Sequence, residues 1–455
     1  MFLRLLRSVA QRRKGSVSGP SKVIHLHFSG ANVKRALFSW AFSAAIFLCI
    51  STQTGFSQGK TKGTALDHLP ASLVESRDGN TQSSPGEVAE QAGGSGFSVD
   101  YTFKGANGSA PTAALIQDAA GNLYGTTSSG GYGFGVVFKL DTAYHETVLY
   151  AFHGPDGATP HGALVLDGSG NLYGTTSGGG DSALGTVFKI DSQGVETVLH
   201  SFTGNPDGAH PYSGLVLDNS GNLYGTTEHG GLFGSGTIFK IETTGVETVL
   251  HSFAGGSLDG ANPEARLILD PSGDLYGTTF AGGSGGYGTV FKLDATNTET
   301  ILYNFTGGSD GGNPFGGVTR DANGVLYGTT EVTGLPGDPR PYGCCKGNVY
   351  VLNGNSETVL YAFMGGNDGG TPVSDLVLYN GVLYGTTLSG GPGHRGTVFR
   401  VTIATGSESV LHGFTGQADG GNPKAGVLMN AEGVLYGTAE RGGEFLRGTV
   451  FQQNQ

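Results

Sequence analysis

ALVLDGSGNLYGTTSGGGDSALGTVFKIDSQGVETVLHSF, residues 163–202, is the stretch whose reading decides the fold. It holds four short apolar runs: 163–167, 172–176, 185–191 and 196–202. Each is rich in β-branched and aromatic side chains and bounded by Gly, Asp, Asn or Ser, the pattern of short strands joined by turns. No helical period of useful length interrupts it.

The same unit recurs along the chain. The Tyr of Leu-Tyr-Gly-Thr stands at 124, 173, 224, 276, 327, 384 and 436, at spacings of 49 to 57 residues. A fixed period of about fifty residues carrying four strands is the signature of a propeller blade. The runs are apolar on both faces, as sheets sandwiched between neighbouring sheets must be. We therefore expect an all-β protein, a seven-bladed β-propeller over residues 97–455. The last unit stops after its third strand, at Gly448–Phe451, and a lone fourth-strand look-alike, Phe97–Phe103, precedes the first unit. Pairing the two would close the ring and remove two sheet edges that invite aggregation.

Composition agrees. The chain has 455 residues, of which 84 are Gly and only 17 Pro, so collagen is excluded. An apolar share of 37% with 10% aromatics is enough for a core. Residues 67–455 carry a net charge of −22, which excludes a nucleic-acid partner, because phosphates would be repelled.

The whole unit, with its YGTT, GG, GTVF and ETVL blocks, resembles the GloVer tandem-repeat family of bacterial exported proteins, and its strands resemble NHL-type blades. The resemblance covers about 97–455. It implies a secreted or surface-anchored repeat protein, often with a carboxy-terminal anchoring signal. This chain ends at Gln455 without an apolar tail, so such anchoring is not expected. The family brings no catalytic residues to carry over.

The amino-terminal part reads as a targeting segment. Eight Lys/Arg from Arg4 to Arg35 precede the apolar run 36–52. A basic flank, an apolar stretch and a small-residue exit read as a signal peptide, or as an anchor, over 1–58. Residues 59–96 are polar and read as a flexible linker. With the signal removed, no membrane span is expected, and the mature protein should be a secreted or cell-surface monomer.

Long loops, and so ligand binding, should gather on the face that carries the fourth-to-first and second-to-third connections. The fourth-to-first loop repeats Asp/Asn-Gly-x-x-Pro seven times, starting at Asn107, Asp156, Asp207, Asp259, Asp310, Asp368 and Asp419. One reading is structural: the carboxylate caps nearby backbone, Gly takes positive φ, and Pro fixes entry to the inner strand. The other is an acidic ring around the channel mouth, able to hold Ca²⁺. The Gly within Leu-Tyr-Gly-Thr sits mid-strand, where an aromatic such as Phe188 or Phe239 should cover it. His200, His251 and His412 exchange with Tyr101, Tyr150, Tyr303 and Tyr361 in other copies, which argues for packing over ligation. His161, His210, His229 and His394 share no spacing that suggests a two-His metal motif.

One unit is asymmetric. Tyr327 to Gly347 spans 20 residues where the other copies take 11 or 12. The insert holds Asp338, Arg340, Tyr342, Cys344 and Cys345, candidate binding residues against the alternative of a tolerated surface insertion. The adjacent cysteines form either a strained vicinal disulfide or two free thiols. Ser-elbow, P-loop and HExxH patterns do not occur, and the one Trp is Trp40, in the targeting segment.

These readings point to a non-catalytic extracellular binding or scaffold module for a glycan or protein. A propeller enzyme acting on glycans (lyase or hydrolase) and a structural envelope component are the alternatives, since fold alone does not give function. Mass spectrometry of the exported protein should find a mature amino terminus at Gln58, after Ser57; retention of residues 1–57 would show an anchor instead.

Overall fold

The computed structural model describes residues 96–332 and 346–455. They form seven four-stranded antiparallel sheets arranged as a seven-bladed β-propeller. In the second blade the strands run from the axis outward: Val165–Leu166, Leu172–Thr176, Thr186–Ile190 and Glu196–Ser201. Among the described residues no helix is long and apolar enough to cross a membrane.

The ring closes as the chain ends foretell. Phe97–Thr102 pairs antiparallel with Thr449–Asn454, from Phe97 opposite Gln453 to Thr102 opposite Thr449. The seventh sheet is therefore built from both ends of the propeller, in the order 97–102, 449–454, 434–439, 428–429.

Neighbouring blades lock through aromatic rings. The Phe that follows each fourth strand meets the third-strand aromatic of the next blade edge-on, at 5.0–5.3 Å between centroids. The seven pairs run from Phe103–Phe138 and Phe152–Phe188 round to Phe414–Phe451, with Tyr350 as partner of Phe305. All these rings are fully or almost fully buried. Such pairs contribute about 0.5–1.5 kcal/mol each beyond their area burial.

The same third-strand ring covers the glycine of Leu-Tyr-Gly-Thr in its own blade, as expected. A Cβ on Gly174 would lie 2.6 Å from Phe188 Cζ and 2.9 Å from Leu164 Cδ2. The glycine is thus the hollow into which the seam aromatic fits.

At the axis the first strands are shorter than the apolar runs suggest. The run 163–167 yields only Val165–Leu166. Backbones of adjacent blades crowd there: a Cβ on Gly162 would sit 2.4 Å from the Ser213 carbonyl oxygen. The second residue after each loop proline is accordingly small: Ala113, Gly162, Ser213, Ala265, Gly316, Ser374 and Ala425. In six blades the first Thr of the YGTT block donates its hydroxyl to the carbonyl at this position in the next blade, at 2.7–3.4 Å. Thr438 to Ala113 is the bond that joins the last blade to the first.

Gly174→Ala should cost about 1–3 kcal/mol by overpacking the seam ring. Gly168→Ala, where a Cβ meets open space, should stay within about 0.5 kcal/mol. Denaturant unfolding of the two variants checks this; equal stabilities would refute the seam packing.

Candidate functional site at the channel mouth

The Asp/Asn-Gly-x-x-Pro loops build one face of the ring. They pair across to the second-to-third loop of the following blade, as at Ala158 opposite Gly178 and Gly421 opposite Arg441. The residue before each proline is left-handed in all seven copies, with φ of 52–57° at Ala110, Thr159, His210, Asn262, Asn313, Thr371 and Asn422. Its N–H donates to the second-to-third loop of the preceding blade and its carbonyl accepts from the blade it enters. Thr159 N bonds Phe134 O at 2.8 Å, and Ser177 N bonds Thr159 O at 3.2 Å. The proline then lies on the glycine before the previous third strand: a Cβ on Gly185 would be 2.6 Å from Pro211 Cδ. These clamps fix where the next side chain goes.

That next side chain points to the axis. The residues immediately after the seven prolines are Thr112, His161, Tyr212, Glu264, Phe315, Val373 and Lys424, and all seven line one cavity of about 80 Å³ at the channel mouth. The frame is the same in every blade, yet these seven residues are all different. Lysine, acid, imidazole, phenol, phenyl, valine and threonine converge on one spot.

The aromatic wall is continuous. His161 stacks on Tyr212 at 4.4 Å, Tyr212 meets Phe315 edge-on at 5.9 Å, and Phe315 meets Phe280 edge-on at 6.5 Å. Thr112 Oγ1 and His161 Nδ1 are 3.0 Å apart. Burial and then the Lys424 charge push the His161 imidazolium down to about 4, so it is neutral at physiological pH.

Facing the aromatics are acids. Glu440 takes Lys424 Nζ at 3.2 Å, and Glu228 lies 3.2 Å from His229 Nε2. Glu264 has no hydrogen bond or ion pair among the described residues. Burial, then the charges of Glu228 and Glu331, hold its carboxyl well above the usual range. Below the mouth, Asp375 accepts from Gly317 N at 2.6 Å, and Arg266 Nε donates to Leu215 O at 3.1 Å.

The loop aspartates lie elsewhere. Asp156, Asp207, Asp259, Asp310, Asp368 and Asp419 do not line the cavity, so they form no acidic ring around the channel mouth. Each faces the outermost strand instead. Asp156 accepts from the Tyr150 hydroxyl at 2.5 Å and from His153 N at 2.8 Å. Asp310 and Asp368 take Tyr303 and Tyr361 hydroxyls at 3.2 and 3.1 Å. Asp207 and Asp419 take His200 and His412 Nε2 at 3.1 and 3.2 Å. This explains the Tyr/His exchange: either ring can donate to the loop carboxylate. Asn107 fills the same place beside Tyr101 and Glu146. Asp338, Arg340, Tyr342, Cys344 and Cys345 lie outside the described residues.

The post-proline ring was not singled out from the sequence. Its signal is there, as a column that differs in all seven copies beside an invariant proline, but repeat comparison reads what copies share.

Residues 78–270 and 341–455, about two thirds of the chain, match the Gloeobacter/Verrucomicrobia repeat. The chain belongs to that family. No curated protein is detectably similar in sequence. Among solved structures it is similar to TolB from Acinetobacter baumannii, at 15% identity and a TM-score of 0.36. That match covers 60% of this chain and 58% of TolB, so the chain spans less than two thirds of that protein's length. It is also similar to a gluconolactonase of Xanthomonas campestris, at 12% identity and a TM-score of 0.41, covering 63% of this chain and 85% of the other.

The outer seams carry a further repeated feature. In the second to sixth blades the first Glu of the fourth strand faces the loop Asp of the preceding blade. Burial, then the neighbouring Asp charge, pushes Glu196, Glu247, Glu299, Glu357 and Glu408 up to about 7. A carboxyl raised in the folded state stabilises most when protonated. That stability is complete below the ordinary value of 4.5 and is lost as pH rises through about 7. The thermal midpoint should therefore fall by a few degrees between pH 5 and pH 8, and Glu196→Gln should remove part of the fall. A midpoint that rises over this range would contradict the seam carboxyl pairs.

Proposed function

We propose that the protein is an exported, non-catalytic binding module that takes a hydroxyl or protonated amine of a glycan into the channel mouth. The observation that carries this is the post-proline ring: seven equivalent positions in a repeated frame, each with a different side chain, all meeting at one cavity. A scaffold alone needs no such asymmetry. Aromatic faces beside an unpaired carboxyl suit a sugar, which offers C–H surface and hydroxyls, and suit an ammonium group through cation–π attraction. The cavity of about 80 Å³ is well below the roughly 300 Å³ of a pocket that encloses a whole small ligand. The ligand therefore inserts one group and rests its remainder on the surrounding loops. Export is supported by the basic-then-apolar segment at 4–52.

One observation favours a second reading. A carboxyl in a cleft with a raised pKa is what a general acid requires, so Glu264 would be the first candidate in an enzyme acting on glycans.

Calorimetric titration of the full chain with chitosan oligomers and with neutral glucan oligomers tests the first reading. Binding should weaken at least tenfold in Glu264→Gln for the amine-bearing oligomer and in Phe315→Ala for both. Asp156→Asn, remote from the cavity, should leave it unchanged. Loss of binding in none of the cavity variants would refute the site. Release of products that ceases in Glu264→Gln would favour the enzyme.

A further inference from the structure

The third and fourth blades meet at the outer edge in a way that no other seam repeats. In the five other copies with Asp, a fourth-strand Tyr or His ring bonds the loop carboxylate. Thr203 and Thr306 each donate a hydroxyl to Asp207 and Asp310, at 2.7 and 2.5 Å, and Thr415 does the same to Asp419. In the third copy the residue at this place is Ala254, which like Met364 has no hydroxyl to give, and here the loop is also one residue longer. His251 and Asp259 are eight residues apart, against seven for His200–Asp207 and His412–Asp419. Asp259 keeps only the amides of Ala254 and Gly260, at 2.6 and 2.7 Å.

The longer loop leaves the imidazole nitrogen without a partner. His251 Nε2 stands 3.5 Å from Asp259 Oδ2, whereas His200 and His412 are within hydrogen-bond reach of theirs. His251 Nε2 is buried without a hydrogen-bond partner, and it faces Glu299 Oε1, which is buried and unpartnered like the same atom of Glu196, Glu247, Glu357 and Glu408. Each of the three side chains offers one donor atom, and the three atoms lie within 4.8 Å of one another. The imidazole is held in place by edge-on contact with Phe253 at 4.7 Å.

We propose that His251, Asp259 and Glu299 form a binding site for one first-row divalent metal ion of the zinc type, stapling the third blade to the fourth. The donor set decides the class. A neutral imidazole nitrogen with two carboxylate oxygens suits Zn²⁺ and its neighbours, while Ca²⁺ and Mg²⁺ take oxygen alone. The distances agree. Ligand atoms about 2.0–2.1 Å from a tetrahedral ion are about 3.4 Å apart, close to the 3.5 Å already present between His251 and Asp259. Glu299 closes the remaining gap by rotating its carboxylate. Three protein ligands leave the fourth position to water, and the partly exposed rim gives the ion a way in. This site is remote from the channel mouth and does not depend on what binds there.

The test is calorimetric titration of the full chain with ZnCl₂. Wild type should bind one equivalent saturably. His251→Tyr should weaken that binding at least tenfold while folding normally, because four sister blades carry Tyr at this position. Glu299→Gln should do the same, and His200→Tyr should leave it unchanged. Absence of saturable binding in wild type, or the same affinity in His251→Tyr or Glu299→Gln, would overturn the proposal. So would an equal loss in His200→Tyr.

Discussion

The structure rests on one contact made seven times: a buried Phe after each fourth strand set edge-on against the third-strand aromatic of the next blade. The partner ring lies over a glycine in the middle of its own second strand, so the contact needs the gap as much as the ring. This couples two features that sequence alone presents as unrelated, the Gly of Leu-Tyr-Gly-Thr and the terminal Phe of the fourth strand. Sheets packed face to face through large aromatics need no disulfide and no helix to hold them. The blades are alike because each must fit the next in the same way.

That constraint accounts for what could be read without coordinates. Seven units, four strands each, the split blade and the covered glycine are all consequences of a repeated interface, and repetition is visible in a single chain. The first strand was read too long because apolar character extends from Ala163 to Leu166, while the crowding that ends the pairing is made by the neighbouring blade. The loop aspartates were harder. Their spacing shows that they matter in every copy, but not that they turn outward to Tyr150 or His200. That direction is set by the left-handed residue before the proline, whose two backbone bonds reach into two different blades. The cavity residues were the least legible. A position occupied by Thr, His, Tyr, Glu, Phe, Val and Lys has no pattern to find, and only closure of the ring brings the seven together.

The two faces of the same loop thus serve different ends. Before the proline, the backbone conformation is repeated because it joins blades. After it, the side chain is free of that duty and can vary without loosening the seam. The ring separates blade-to-blade packing from the lining of the cavity along a distance of a few residues. The outer seams work under a different tension, with paired carboxyls half removed from water. The third copy, longer by one residue, shows how small a change frees an imidazole from its loop carboxylate.

The strand Phe97–Thr102 has a consequence for how the molecule comes to be folded. Its partner, Thr449–Asn454, is the last strand in the chain. Six blades can assemble in order as the chain emerges, each docking on the one before. The seventh must wait, with its outer strand made first and left unpaired until the end. Contacts of such large sequence separation are slow to form, because a long loop must be closed before any bond rewards it. Until then both flanks of the arc are exposed aromatic surface, the state most open to association with another chain. A closed ring is stable because it has no ends, and for the same reason it is vulnerable until the final strand arrives.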